Sequence, residues 1–271
     1  MPEPRWIGRS FGRAAGGYDA LSGLQASSAD ALLRSLQARQ LPAPDCLLDA
    51  GAGTGYPTRG LLALWPHARV LALDLALGMV QVARCRLQAS GRVSFVCADA
   101  GQLPLAHESV DLIFSNMALQ WCSDLPAVFS EWQRVLKPGG SIAFTTFGPG
   151  TLHELKAAWA TVDHYTHVMN FENLAGIHQA LNHPGWSGIE LTSAHRLIAY
   201  PDVHALMREL KGIGAHNVTW GRPRHLLGKA TLRRMIAAYP PAATGAGIQA
   251  TFDVVSGFCS KAMATQKQVE T

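Results

Sequence analysis

The sequence predicts an α/β fold, a doubly wound and mainly parallel sheet, from three observations. Short apolar runs alternate with helix-length segments from about residue 40 to residue 155. A glycine-rich turn, Asp49-Ala50-Gly51-Ala52-Gly53-Thr54-Gly55, follows the first of those runs. An acid, Asp74, closes the second run nineteen residues after Gly55. Strand, glycine turn and downstream acid together describe a nucleoside-containing ligand held at the carboxyl ends of parallel strands.

In chain order, residues 28–38 read as a helix, with Ser28 and Asp30 as cap chemistry and Leu32, Leu33 and Leu36 at helical spacing. Cys46 to Ala50 is the first strand. Pro57 opens a helix running to about Trp65, since proline is tolerated in a first turn. Arg69 to Asp74 is the second strand, Leu77 to Leu87 a helix, and Val93 to Val96 the third strand. Val110 to Phe114 is continuously apolar apart from Asp111, as expected of a strand covered on both faces. Leu125 to Leu136 is helical and stops at Lys137-Pro138-Gly139-Gly140, and Ser141 to Phe147 is the next strand. Beyond it the pattern loosens: a helix over 151–162, mixed turn signals over 166–187, a strand over 189–199, a helix over 202–213, a helix over 231–239 capped by Thr231, and a closing strand over 247–259. The expected organisation is one domain over 1–271, its core at about 40–155, with segments 1–27 and 160–240 as additions to the sheet.

A hydrophobic content of 48% argues against extensive disorder, and no apolar run approaches eighteen residues. The five cysteines are scattered without a C-x-x-C pair, so a reduced, cytoplasmic chain with no structural metal is expected. Charge is uneven. Arg208, Lys211, Arg222, Arg224, Lys229, Arg233 and Arg234 face only Glu209 within their stretch, a local excess of +6 against +4 for the chain. Such a patch is either a solvated face or a docking site for an acidic partner.

The dinucleotide fingerprint is G-x-G-x-x-G, whereas here the third glycine comes one residue early and Tyr56-Pro57 follows. Asp49 would repel a pyrophosphate and suits a cation such as an ammonium or sulfonium. The run resembles the D-x-G-x-G-x-G motif of class I S-adenosylmethionine methyltransferases. That resemblance implies a Rossmann-like sheet with an antiparallel last strand and S-adenosylmethionine as cofactor. Its binding set would be Asp49, Gly51, Gly53, Gly55, Asp74, Leu75, Met79, Asp99, Ala100 and Asn116. Asp74 would take the ribose hydroxyls, Asp99 and Ala100 the adenine, Asp49 the methionyl end. Asn116, at the end of the fourth strand, is either a group near the sulfonium or a plain turn residue. No acid–base dyad stands out, and the eleven histidines read as surface or structural groups. That favours an acceptor already ionised at neutral pH, such as a carboxylate.

Four further stretches narrow the resemblance: Phe11 to Ala15 with Tyr18-Asp19 and Gln25, Ser115 to Cys122, Phe144 to Leu155, and Lys211 to Ala215 with Asn217 and Gly221-Arg222. Together they resemble malonyl-acyl-carrier-protein O-methyltransferases, which open the pimeloyl route to biotin. The resemblance implies methyl transfer to the free carboxylate of a malonyl thioester and an acidic acyl carrier protein as partner on the basic region. It also implies an N-terminal lid in which Tyr18 covers the cofactor and Arg13 anchors the segment. Lys211 and Arg13, with Arg222 behind them, are the candidate cations for the malonyl carboxylate; Lys211 could equally cap its own helix. Trp121 is expected as a core residue or a pocket wall rather than a direct stack on the cofactor. The competing readings are a methyltransferase of another small carboxylate or a phenol, a SAM-binding assembly factor without activity, and, last, an NAD-linked oxidoreductase.

Overall fold

The protein is described by a computed structural model covering residues 3–215, 228–243 and 245–263. Among them seven strands form one sheet in the order β3-β2-β1-β4-β5-β7-β6. The strands are β1 Cys46–Ala50, β2 Arg69–Asp74, β3 Val93–Cys97, β4 Val110–Asn116, β5 Leu136–Phe147, β6 Trp186–Tyr200 and β7 Ile248–Lys261. The first five pair in parallel, and β7 runs antiparallel between β5 and β6.

Helices α1 Pro4–Ala14 and α2 Gly23–Ala38 precede the sheet; α3 Tyr56–Leu64, α4 Leu77–Leu87 and α5 Leu125–Val135 connect its parallel strands. The later helices are α6 His153–Ala160, α7 Leu174–Leu181, α8 Val203–Gly212 and α9 Lys229–Ala238. The central strands are apolar on both faces because both are covered. Leu32 and Leu36 of α2 and Leu61 of α3 pack on Leu47 and Phe114 from one side. Phe129 and Trp132 of α5 with Ile177 and Leu181 of α7 pack on Leu48, Ile113 and Phe144 from the other. At the far end Leu155, Trp159, Leu206 and Met235 gather α6, α8 and α9 over β7.

Several boundaries differ from the sequence reading, each for a visible reason. The second helix starts at Gly23, so Ser28 and Asp30 are interior to it; the Ser28 hydroxyl reaches Thr145 Oγ1 at 3.3 Å, and Asp30 accepts from the Tyr56 hydroxyl at 3.1 Å. β5 begins at Leu136 directly after α5, and Lys137 to Gly140 are absorbed in a register shift opposite Val110 and Leu112. Helix α9 begins at Lys229 after Gly228, with no side-chain cap, so Thr231 lies inside it. α7, within the segment of mixed turn signals, is eight residues long and capped by the Asn173 side chain accepting from Gly176 N at 2.8 Å. α1 was not expected, since Gly8 and Gly12 lower the helix propensity of its stretch.

Candidate active site

At the carboxyl ends of β1 to β4 the chain leaves a cavity of about 270 Å³. Gly51, Gly53, Asp74, Leu75, Met79, Asp99, Ala100, Asn116 and Tyr18 all line it, so most of the sequence-derived set converges on one space. Asp74 sits at its centre. One carboxylate oxygen accepts from Gly53 N at 2.9 Å and the other from Ala76 N at 2.8 Å. The carboxylate thereby ties the glycine turn to the start of α4 and keeps lone pairs for two hydroxyl donors. Burial pushes its pKa up despite those two N–H donors. Asp99 accepts from Gly101 N at 2.8 Å, while the Trp132 indole N–H holds the Ala100 carbonyl at 3.0 Å, fixing the peptide between them.

The glycines divide the work. At Gly53 (φ +56°) a Cβ would meet no protein atom within 4 Å, so its open side is the cavity. At Gly55 (φ +88°), the residue before α3, a Cβ would lie 2.8 Å from Leu87 and 3.2 Å from Ala83 of α4. A Cβ on Gly51 would lie 2.4 Å from that of Ala118. Gly55 therefore serves helix packing and Gly53 the approach of a ligand.

Asp49 does not line the cavity. It is fully buried beneath the turn; one oxygen accepts from the Thr58 hydroxyl at 2.6 Å and the other has no partner among the described residues. Burial pushes its pKa up to about 7, opposed by the Thr58 hydrogen bond and reinforced by Asp74. An orphaned carboxylate oxygen under a glycine turn fits a ligand that brings positive charge close by. The Asn116 amide is engaged at both ends, donating to Gln25 O at 3.0 Å and accepting from the Thr145 hydroxyl at 2.8 Å, so it ties α2 to the sheet.

The roof comes from the N-terminus. Gly12 of α1 lies so close to Gly78 of α4 that a Cβ on Gly78 would stand 2.7 Å from Gly12 O. Phe11 meets the Trp121 ring edge-on at 5.1 Å, and Tyr18 lines the cavity beneath. Burial, then Asp74 and Asp19, push the Tyr18 hydroxyl well above its ordinary range, so it stays a protonated donor. The segment is anchored through Asp19, which accepts from the Thr54 hydroxyl at 2.5 Å and pairs with Arg86. Arg13 is exposed and lines neither this cavity nor the next. The turn after α8 supports the roof from outside: the Ser10 hydroxyl donates to Gly214 O at 2.8 Å, and Gly214 (φ +81°) lies against the α1 backbone.

A second cavity of about 560 Å³, mostly apolar, lies beyond Trp121, which alone among the described residues lines both. Lys211 and Arg208 of α8 stand on its wall, as do His167, Trp159 and Gln25. Sequence reasoning placed Lys211 and Trp121 at a pocket but set His167 aside with the other histidines. Its only local signal is Asp163 four residues earlier. Arg222 and Arg224 lie outside the described residues.

Residues 48–144 match a family model described as a methyltransferase domain. The chain is 47% identical over 263 residues to malonyl-[acyl-carrier protein] O-methyltransferase of Methylococcus capsulatus, covering 96% of this chain and 94% of that protein. It is 40% identical over 248 residues to the biotin biosynthesis bifunctional protein BioHC of Cellvibrio japonicus, covering 92% of this chain and 48% of that one. Among solved structures, phosphoethanolamine N-methyltransferase 2 of Haemonchus contortus in complex with S-adenosyl-L-methionine shares the fold, with a TM-score of 0.53 and 19% identity over 87% of this chain and 53% of that one.

Proposed function

The chain belongs to the malonyl-[acyl-carrier protein] O-methyltransferase family, and from that premise we propose how its own residues carry the reaction. The enzyme transfers a methyl group from S-adenosylmethionine to the free carboxylate of a malonyl thioester, giving the methyl ester that enters biotin synthesis. The observation that carries this reading is the pair of cavities that share Trp121 as a lining residue, one lined by acids and a glycine turn, the other mostly apolar with cations on its wall.

When bound, the cofactor supplies an electrophilic methyl on a positively charged sulfur. The protein's part is binding and aim. Asp74 would hold the ribose hydroxyls, Asp99 and the Ala100 backbone would read the adenine, and Leu75 and Met79 would supply apolar wall beside it. Asp49 contributes negative charge from below the turn. Gly51 and Gly55 shape that turn through protein packing, and Asn116 keeps α2 in place beside it. Tyr18 and Phe11 close the roof and exclude water. The acceptor carboxylate is ionised at neutral pH, so no base is required, and the rate gain comes from holding nucleophile, carbon and sulfur in line in a dry site. Lys211 and Arg208 offer the cationic wall for the acceptor, whereas the exposed position of Arg13 suits it to the outer surface of the lid.

The partner is an acyl carrier protein, and its expected acidity matches Lys229, Arg233 and Arg234 on α9 alongside Arg208 and Lys211 on α8. The core sheet and its lid additions act as one unit. No helix among the described residues is long and apolar enough to cross a membrane. Incubation with methyl-labelled S-adenosylmethionine and malonyl-carrier protein should yield a base-labile methyl ester; no label above background overturns the proposal.

A further inference from the structure

The second cavity contains a polar group that the reaction as described does not use. His167 lies on the loop between α6 and α7, its side chain only 7% exposed, yet it lines the cavity. Its ring is fixed on two sides. It stacks on Trp159 with centroids 3.6 Å apart and planes within 6°, and Nε2 lies 2.8 Å from Asp163 Oδ1. Asp163 is itself held in place, because the same oxygen accepts from Tyr165 N at 3.0 Å. Arg234 of α9 donates to the Val162 carbonyl next to it at 3.1 Å. Despite partial burial, those N–H donors keep Asp163 below the usual carboxylate range, so it is an ionised acceptor and Nε2 carries a hydrogen.

The other ring nitrogen, Nδ1, makes no hydrogen bond among the described residues. The cavity wall to which the ring belongs is mostly apolar, with Leu155, Val168, Met169 and Phe171 among its lining residues. Packing alone at such a place is served by a phenyl ring or an alkyl chain, neither of which leaves a ring nitrogen in need of a partner. A histidine on a cavity wall, clamped by stacking and by a carboxylate and with one nitrogen uncommitted, is suited to meet a polar atom of a ligand.

The acceptor's chemistry says which atom. Its carboxylate must stand near Trp121, the wall that the two cavities share, to reach the methyl group. The thioester, and the amide-bearing arm attached to it, then extend into the larger cavity. We propose that His167 is an acceptor-binding residue that hydrogen-bonds the thioester end of the malonyl substrate, with Asp163 as its positioning residue. The proposal rests on the malonyl thioester reading and deepens it: one end of the acceptor is held so that the other is aimed.

The test uses the full chain with malonyl-pantetheine and with malonyl-carrier protein. His167→Phe keeps a ring on Trp159 and removes both nitrogens. It should raise KM at least tenfold for both acceptors, while affinity for S-adenosylhomocysteine, bound in the other cavity, stays within twofold. His167→Asn, which retains a donor and an acceptor, should recover part of the loss, and Asp163→Asn should show a smaller KM rise. KM and kcat within twofold of the parent for His167→Phe would overturn the assignment. So would equal losses in acceptor KM and in S-adenosylhomocysteine affinity, which signify a purely structural role. If His167→Phe does not fold, the parent decides. Adding malonyl-pantetheine to its S-adenosylhomocysteine complex should shift the His167 imidazole 15N resonances, and no shift overturns the proposal. A parent that makes no ester from either thioester defeats the family reading instead, and the imidazole shift still reports whether the thioester binds at His167.

Discussion

Substituting alanine at Gly53 and at Gly55 should separate ligand contact from fold within one turn. At Gly53 the backbone angle of +56° lies in the left-handed region that an L-residue enters at a cost of about 1–2 kcal/mol, and the new Cβ meets no protein atom within 4 Å. Only that cost falls on the fold, so the melting temperature should drop by roughly 2–8 °C, at about 2–4 °C per kcal/mol for a chain this size. The added methyl does enter the cavity. Overpacking by a methyl typically costs about 1–3 kcal/mol, or roughly 5- to 150-fold in affinity. At Gly55 the order reverses. Its +88° lies outside the ordinary left-handed window, and the Cβ would stand 2.8 Å from Leu87 and 3.2 Å from Ala83. Strain and overpacking together cost about 2–5 kcal/mol there, before any loss of ligand. Scanning calorimetry and titration calorimetry with S-adenosylhomocysteine read the two effects separately. Gly53→Ala binding within twofold of the parent, or melting lower than Gly55→Ala, refutes the division of roles.

Three further outcomes follow from the same geometry. Asp74→Asn places an NH2 against one of two backbone N–H groups and removes a charged acceptor; at about 1.5–3 kcal/mol per charge-assisted hydrogen bond, S-adenosylhomocysteine affinity should fall roughly 10- to 150-fold by calorimetry. Because the Asp49 pKa is pushed up to about 7, the folded chain keeps a proton that the unfolded chain releases near pH 4. Stability should therefore decline as pH rises from about 4 to about 7, and affinity for the cationic cofactor should rise through the same upper limit. Asp49→Asn should flatten both profiles in denaturant titrations and binding assays at pH 5 to 8, and unchanged slopes count against the role given to Asp49. Lys229→Glu with Arg233→Glu, both exposed on α9, should raise KM for malonyl-carrier protein in a manner that weakens with added salt. It should leave malonyl-pantetheine unaffected; equal loss on both acceptors would place the basic face at the site rather than at the docking surface.

The sequence by itself determined the order of strands and turns and the acids at their ends. These are short-range matters: Asp49, Asp74 and Asp99 each follow an apolar run, and the glycines announce a turn wherever the chain folds. That most of these residues share one cavity was legible for the same reason, since Asp74 needs only its own strand end and the neighbouring turn to find Gly53 N and Ala76 N. Tertiary structure decided what lies across the chain. That Gly55 answers to α4 while Gly53 opens on a cavity depends on Ala83 and Leu87, about thirty residues away. Asn116 is spent on Gln25, Arg13 points outward while Asp19 anchors the roof, and Trp121 divides two cavities. α1 escaped notice although Ile7 and Phe11 stand one helical turn apart, because Gly8 and Gly12 lower its helix propensity, and α7 because eight residues are too few to display a period. His167 looked like any loop histidine until Trp159 and Asp163 were found around it. Contacts between distant residues follow from packing the whole chain, and no local window of sequence contains them.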